Sequence, residues 1–285
     1  MTERDGQPPR TDTQGYAWAE AELQRTGQVD YGNWVPAALM GTLLVASGIL
    51  LLVLSLLLIM WANQAVLAVV GALCLLALAL TGYLELCRRR FAFDGGRLMG
   101  AMHQLVVDNL DWDGRGELLD IGCGAGALTI RCAKTFPGGR FTGIDRWNPK
   151  WSHAREQCEH NARAENVDDR VAFVDGDAAR LDAPDGAFDA AVSNFVFHEV
   201  RSEPDKRALV REALRVVRPG GAFSFQDMFG HRRLYGDMEA FVQELRDGGV
   251  TQIEYIPRTE SVAGAPAWIR TPWMLKGAGI IHGRK

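Results

Sequence analysis

Residues 31–84 contain no Asp, Glu, Lys or Arg. With 23% of the whole chain charged, a stretch of that length should carry about a dozen such side chains, so the chain cannot be one evenly globular body. Two apolar runs fill the gap, residues 36–60 and 65–84. As α-helices they would be roughly 38 and 30 Å long, enough to cross the ~30 Å hydrocarbon core of a bilayer. Trp61, Ala62, Asn63 and Gln64 alone separate them, so the two must run antiparallel as a tight hairpin. Pro36 suits a first helical turn, where its missing N–H costs nothing. Tyr31, Trp34, Trp61 and Tyr83 fall at the depths that amphipathic aromatic rings prefer. The tip carries no basic residue, while Arg88, Arg89 and Arg90 follow the second run. The positive-inside rule then puts both termini and everything after the hairpin in the cytoplasm, as a multi-pass membrane protein with two spans. A run that begins about 35 residues in and is followed by a second does not fit a signal peptide. The competing reading is a buried helical pair in a soluble fold. Gly41, Gly48, Ala68 and Ala72 offer small surfaces for packing the spans or a second copy. Residues 14–25 have a weak amphipathic pattern within an otherwise polar start.

The expected organisation is a polar segment at 1–34, a two-helix transmembrane hairpin at 35–86, and one domain at 87–285. From residue 91 on, short apolar runs alternate with longer amphipathic ones. The strands expected are 117–121, 140–145, 170–175, 188–194 and 222–227; the helices are 97–110, 127–136, 149–165, 203–217 and 237–247. That alternation specifies an α/β fold with a doubly wound, mostly parallel sheet, whose ligands bind outside the carboxyl ends of the strands. The net charge of -4 argues against a nucleic-acid binder, whose footprint is strongly basic. Cys74, Cys87, Cys123, Cys132 and Cys158 form no CxxC and no paired framework, which suits a reducing compartment. No metal-ligand spacing occurs.

The motif that carries chemistry is Asp120-Ile-Gly122-Cys-Gly124-Ala-Gly126, at the end of the first expected strand and the start of a helix. Glycines allow a tight turn and close approach of a ligand to the backbone, and the helix start offers free N–H groups to a polar ligand. A tight structural turn is the plainer alternative. Asp145 ends the next strand, where a carboxylate can accept both hydroxyl protons of a ribose. The two features together point to a ribose-bearing ligand.

The spacing is G-x-G-x-G, unlike the G-x-G-x-x-G of dinucleotide enzymes, and here the sequence resembles the class I S-adenosylmethionine-dependent methyltransferases. Further motifs agree in order: Val174-Asp-Gly176-Asp177-Ala178 after the third strand, Pro184-Asp185-Gly186-Ala187-Phe188-Asp189 leading to Ser193-Asn194 on the fourth, and Val217-Arg218-Pro219-Gly220-Gly221 before the fifth. Gly277–Gly283 resembles the family's final antiparallel strand, so the resemblance implies a Rossmann-like sheet, which the helical hairpin read from the apolar runs precedes. The quinone and small-molecule branch has Leu-Pro-Phe-Pro-Asp where this chain reads Leu181-Asp182-Ala183-Pro184-Asp185. The resemblance therefore carries over fold and cofactor but not substrate. It implies that Asp120, Gly122, Gly124 and Gly126 hold the amino-acid end of S-adenosylmethionine. Asp145 would bind the ribose, with Arg146 or Trp147 over the adenine, although Trp147 packs as readily as it stacks. Asp177 and the Ala178 N–H would read the adenine edge, while Ser193 and Asn194 flank the methionine part. Asp182 and Asp185 read as turn caps, and Cys123 as a small residue fitted into the turn.

His198, just past the fourth strand, is the candidate general base, needed where the acceptor must lose a proton; the alternative is a histidine that holds a loop. Asp227 and His231, after the fifth strand, are further candidates. Phe195, Phe197, Phe229 and Tyr235 could line an apolar acceptor pocket. Residues 256–271 read as an irregular insertion, suited to a lid or a specificity element. The functional expectation is methyl transfer to a lipid-soluble or membrane-presented small molecule, the bilayer being the other partner. A soluble metabolite or protein acceptor, with the hairpin as a tether, and a non-catalytic cofactor-binding protein remain the alternatives.

Overall fold

The computed structural model describes residues 29–93, 96–147 and 153–285; the 14–25 pattern lies outside them. Helices α1 (Ala37–Ile59) and α2 (Gln64–Phe91) form the expected antiparallel pair. The Pro36 carbonyl accepts from Met40 N, and the Asn63 side chain caps α2 by accepting from Ala65 N. Both helices are long and apolar enough to cross a membrane, and only 6% and 11% of their most apolar windows are buried. They meet along Met40 and Ser47 on one side and Cys74 and Thr81 on the other, with the Ser47 and Thr81 hydroxyls 3.3 Å apart. Gly41 and Gly48 face open space, so these two glycines do not bring the helices together.

After α3 (Leu98–Asp108) the chain enters a seven-stranded sheet of order β3-β2-β1-β4-β5-β7-β6. Its members are β1 (Gly116–Ile121), β2 (Gly139–Asp145), β3 (Val171–Asp175), β4 (Phe188–Asn194), β5 (Val217–Asp227), β6 (Gln252–Pro257) and β7 (Gly279–Arg284). The first five strands pair in parallel, and β7 runs antiparallel between β5 and β6. Helices α4 (Ala127–Thr135), α5 (His153–Ala164), α6 (Lys206–Arg215), α7 (Arg232–Tyr235), α8 (Met238–Asp247) and α9 (Thr259–Val262) complete the fold. Strand order reverses between β1 and β4, so the ligand crevice is expected beyond Ile121 and Asn194.

The sheet has two apolar layers. Phe197, Leu209, Phe223, Phe225, Phe241 and Ile281 belong to one, and Leu118, Leu128, Ile130, Phe141 and Val192 to the other. A third cluster joins the base of the hairpin to the domain: Val35, Met40, Cys87 and Phe91 pack with Leu98, Met99 and Met102 and with Ala265, Ile269 and Leu275. Helix α2 accordingly continues past residue 86 to a buried Phe91.

Two strands of the sheet differ from the sequence reading. The fifth strand begins at Val217, five residues before the expected start, because Val217 pairs with Phe188 and a register shift absorbs Pro219 and the glycines. Residues 256 and 257 close a sixth strand, where Ile253 and Tyr255 alternate with Gln252 and Glu254. The irregular stretch starts only at Arg258, and it is held by Ile269 and Leu275 in the third cluster.

Candidate active site

The glycine loop is shaped by three different demands. Gly122 N and Cys123 N both donate to the Ile144 carbonyl, at 2.8 and 2.9 Å, and Gly126 N donates to Cys123 O at 2.8 Å. All three glycines have positive φ. A Cβ on Gly122 would overlap the Val196 side chain, and one on Gly126 would lie 2.9 Å from the Phe173 ring, but one on Gly124 would meet nothing within 4 Å. The first and third glycines serve packing; the middle one has open space where a side chain would stand. Gly124 N donates to Asp145 Oδ2 at 2.7 Å, which joins the loop to the end of β2. Burial raises the Asp145 carboxyl above its ordinary value, against the backbone donors of Gly124 and Arg146.

Asp120 lies beneath this loop at 1% exposure. Burial pushes it up to about 7, although the Thr129 hydroxyl donates to its Oδ2 at 2.6 Å and opposes that shift. It braces β1 to α4 and leaves a carboxyl that a nearby cation would ionise. Asn161 is a residue sequence reasoning missed. It is fully buried, its Nδ2 donates to Ala125 O and to Asp30 O, and its Oδ1 accepts from Asp30 N. An Asn inside an amphipathic helix carries no signal of such a contact 131 positions away.

On the other side of the crevice, Phe195 adopts φ +58, an uncommon conformation for an aromatic residue that marks stored strain. Its ring meets Trp34 at 5.2 Å and His198 at 6.3 Å. His198 Nδ1 lies 2.9 Å from Asp227 Oδ1, and Nε2 lies 3.4 Å from Glu199 Oε1. Burial lowers the imidazole, but Asp227 and then Glu199 outweigh it and Lys206, so its net shift is upward. Asp227 is closed to solvent and also accepts from Met228 N at 2.6 Å. A partly exposed imidazole whose inner nitrogen is fixed by a buried carboxylate is the arrangement of a base with its orienting group.

Comparison with known proteins identifies the domain that carries this site. A family model described as "Methyltransferase domain" matches residues 118–221. The 27-O-demethylrifamycin SV methyltransferase of Amycolatopsis mediterranei is 38% identical over 111 residues, 39% of this chain and 38% of the relative. The ubiquinone/menaquinone biosynthesis C-methyltransferase of Paracoccus denitrificans is 34% identical over 129 residues, 44% of this chain and 48% of the relative. The chain thus spans less than half the length of either. With the demethylmenaquinone methyltransferase of Thermus thermophilus the match reaches 173 residues at 30% identity, covering 58% of this chain and 74% of the relative. The chain belongs to the class I S-adenosylmethionine-dependent methyltransferases.

The cofactor of that family is S-adenosylmethionine, and the residues present fit it. Gly124 leaves open space on its Cβ side, Asp145 stands at the end of β2, and Asn194 Oδ1 is buried with no partner among the described residues. In this methyltransferase Arg146 Nη1 donates to Asp177 Oδ2 at 3.0 Å, and Asp177 Oδ1 accepts from Ala179 N. The two adenine-side candidates are therefore joined across the ends of β2 and β3. Ala178 is half-buried against the first apolar layer. Trp147 packs on the second, its indole nitrogen buried without a partner among the described residues. The Ser193 hydroxyl is fully buried and donates to Ile121 O at 2.9 Å, so its side chain ties β4 to β1.

The expected aromatic acceptor pocket needs correction. Phe197, Phe229 and Tyr235 are all fully buried in the first layer; of the four, only Phe195 reaches the crevice. All three lie just past strand ends or in the short helix that follows β5, and the core claims their rings. His231 has a structural contact, with Nε2 2.6 Å from the Lys276 carbonyl. Asp185 pairs with Arg215 at 2.7 Å. Among the described residues no group of three or more His, Cys, Asp or Glu could hold a metal ion.

Proposed function

We propose that this chain is an integral-membrane methyltransferase that transfers the methyl group of S-adenosylmethionine to a lipid-soluble or membrane-presented small molecule. The observation that carries the reading is the third apolar cluster, in which the base of the hairpin, the 263–275 segment and Phe195 share one contact surface. The crevice mouth therefore adjoins the end of α2. Exposed Leu44, Val45, Leu52, Leu75 and Leu76 support insertion of the hairpin. Keeping five such side chains in water forfeits roughly 10 kcal/mol of burial, as much as a whole domain's stability. Arg88, Arg89 and Arg90, in the last turn of α2, favour a cytoplasmic domain with both termini on that side. The relatives' names, which include quinone methyltransferases, fit an apolar acceptor.

The sulfonium supplies an activated methyl group. Asp145, Asp177, Arg146, the Ala178 N–H, Asn194, Ser193, Asp120 and the glycine-loop backbone bind and orient the cofactor. Phe195 and Trp34 present an apolar edge to the acceptor and exclude water. Alignment at about 3–3.5 Å contributes several kcal/mol by proximity. Where the acceptor carries a proton, His198 Nε2 takes it while Asp227 holds Nδ1. S-adenosylmethionine held there would supply its methyl group to the acceptor's electron pair and keep the electrons of the carbon–sulfur bond.

Transfer of radiolabelled methyl groups by the purified full-length protein tests the reading, with total lipid extract and cytosolic extract supplied separately. Label partitioning into organic solvent supports it. Label confined to the aqueous or protein fraction reduces the hairpin to a tether, and no label in either, with cofactor bound, leaves a binding protein.

A further inference from the structure

A groove of about 740 Å³ lies between the last turns of α2 and the start of the irregular segment, lined by Leu86, Arg89, Arg90, Pro266 and Trp268 among others. We propose that it binds the phosphodiester headgroup of an anionic phospholipid, a site separate from the methyl-transfer crevice. The proposal rests on the reading that the hairpin crosses the bilayer.

Depth is the first argument. The 28 residues of α2 extend about 42 Å, the thickness of a bilayer with both headgroup layers. With Gln64 in one such layer, Arg89 and Arg90 stand in the other. The Tyr83 hydroxyl donates to the Trp268 carbonyl at 3.0 Å, and the two rings lie 6.1 Å apart. That contact holds the segment beside α2 at the level where aromatic rings settle. Trp273 and Val262, on the same segment, are exposed at 72% and 61%.

Charge is the second. Arg88 does not line the groove, its guanidinium being turned to the Val35 carbonyl. Arg89 pairs with exposed Glu85 at 2.7 Å, and no ion pair involves Arg90 among the described residues. Among the described residues of the groove, two guanidinium groups face one carboxylate, a net positive charge. Guanidinium forks match phosphate oxygens in geometry as well as in charge. Occupancy has a consequence for the crevice: Pro266 and Trp268 flank Ala265 and Ile269, which pack in one cluster with Phe195. A bound headgroup would hold that segment in place.

The test uses full-length protein in a neutral detergent, titrated with phosphatidylglycerol or phosphatidylcholine and followed by native mass spectrometry. We expect preferential retention of one phosphatidylglycerol. An interfacial arginine contributes about fivefold to affinity for an anionic lipid, so Arg89→Gln/Arg90→Gln should weaken retention about 25-fold with cofactor affinity unchanged. Equal retention of the two lipids, an unchanged double variant, or displacement by millimolar inorganic phosphate would overturn the assignment. Alkaline carbonate treatment of membranes carrying both proteins separates the two levels. Release of the wild type refutes membrane insertion and the headgroup site with it, whereas retention without lipid preference refutes the site alone.

Discussion

Replacing Asp227 with Asn probes the base directly, because it preserves shape while exchanging an acceptor for a group that can donate. Asp227 Oδ1 lies 2.9 Å from His198 Nδ1 on a carboxylate shut off from solvent. A charge-assisted hydrogen bond of this kind contributes about 1.5–3 kcal/mol, equivalent to about one to two pKa units. Without it, burial and Lys206 lower His198 and only Glu199 opposes them. In the proposed role the neutral imidazole acts as the base, so the rate should climb as pH rises through the His198 pKa. That midpoint should lie above the ordinary value of ~6.5 in the wild type and fall by about one to two units in Asp227→Asn. An Asn amide donating to Nδ1 also places the proton on Nε2, the nitrogen that must accept. The plateau kcat should therefore drop by about 10²–10⁴-fold. The assay is the pH profile of kcat with an acceptor identified from the lipid extract, alongside calorimetric cofactor binding for both proteins. An unmoved midpoint, or a loss of cofactor affinity matching the loss of rate, refutes the dyad.

Asp120→Asn addresses linkage. With its carboxyl at about 7 against an ordinary ~3.9, wild-type stability should fall by about 4 kcal/mol as pH rises from 4 to 7. The Asn variant should lose that slope and melt higher at pH 8 without cofactor; a wild-type slope in circular dichroism melts assigns it to another group. Gly124→Ala, with open space around it, should cost only about 1–2 kcal/mol of backbone strain yet reduce cofactor affinity at least tenfold. Gly122→Ala, which meets Val196, should instead lower the melting temperature, and the reverse order in melting and calorimetry would contradict the cradle at Gly124. Asp145→Ala should abolish cofactor binding at micromolar concentrations while the far-ultraviolet spectrum stays intact; residual wild-type affinity would move the ribose contact elsewhere.

The hairpin and the parallel strands were legible because their signals are periodic and local: a charge-free run long enough for two spans, and apolar stretches ending in Asp120, Asp145 and Asn194. The sixth strand was equally regular, but its alternation of Ile253 and Tyr255 was overlooked beside Pro257. Within the site, residue types were readable and contacts were not. Asp227 could be named as a candidate, yet its pairing with His198 depends on how far β5 extends past β4. Nor could sequence separate Phe195 from Phe197, since a positive φ at Phe195 turns one ring toward the crevice and leaves the other in the core. Trp34 looked like an interfacial aromatic, and its contact with Phe195 spans 161 positions.

Asn161 gives the chain an unusual economy. One amide side chain fastens the backbone that leads into the first apolar helix and, at the same time, the carbonyl of Ala125 inside the glycine loop. A water-soluble version made by deleting everything before residue 92 would leave this buried amide half-satisfied and open Leu98, Met99 and Ile269 to solvent. Removing the hairpin is thus also a change to the glycine-loop domain, and any loss of activity in such a truncation says nothing about whether the acceptor is a lipid.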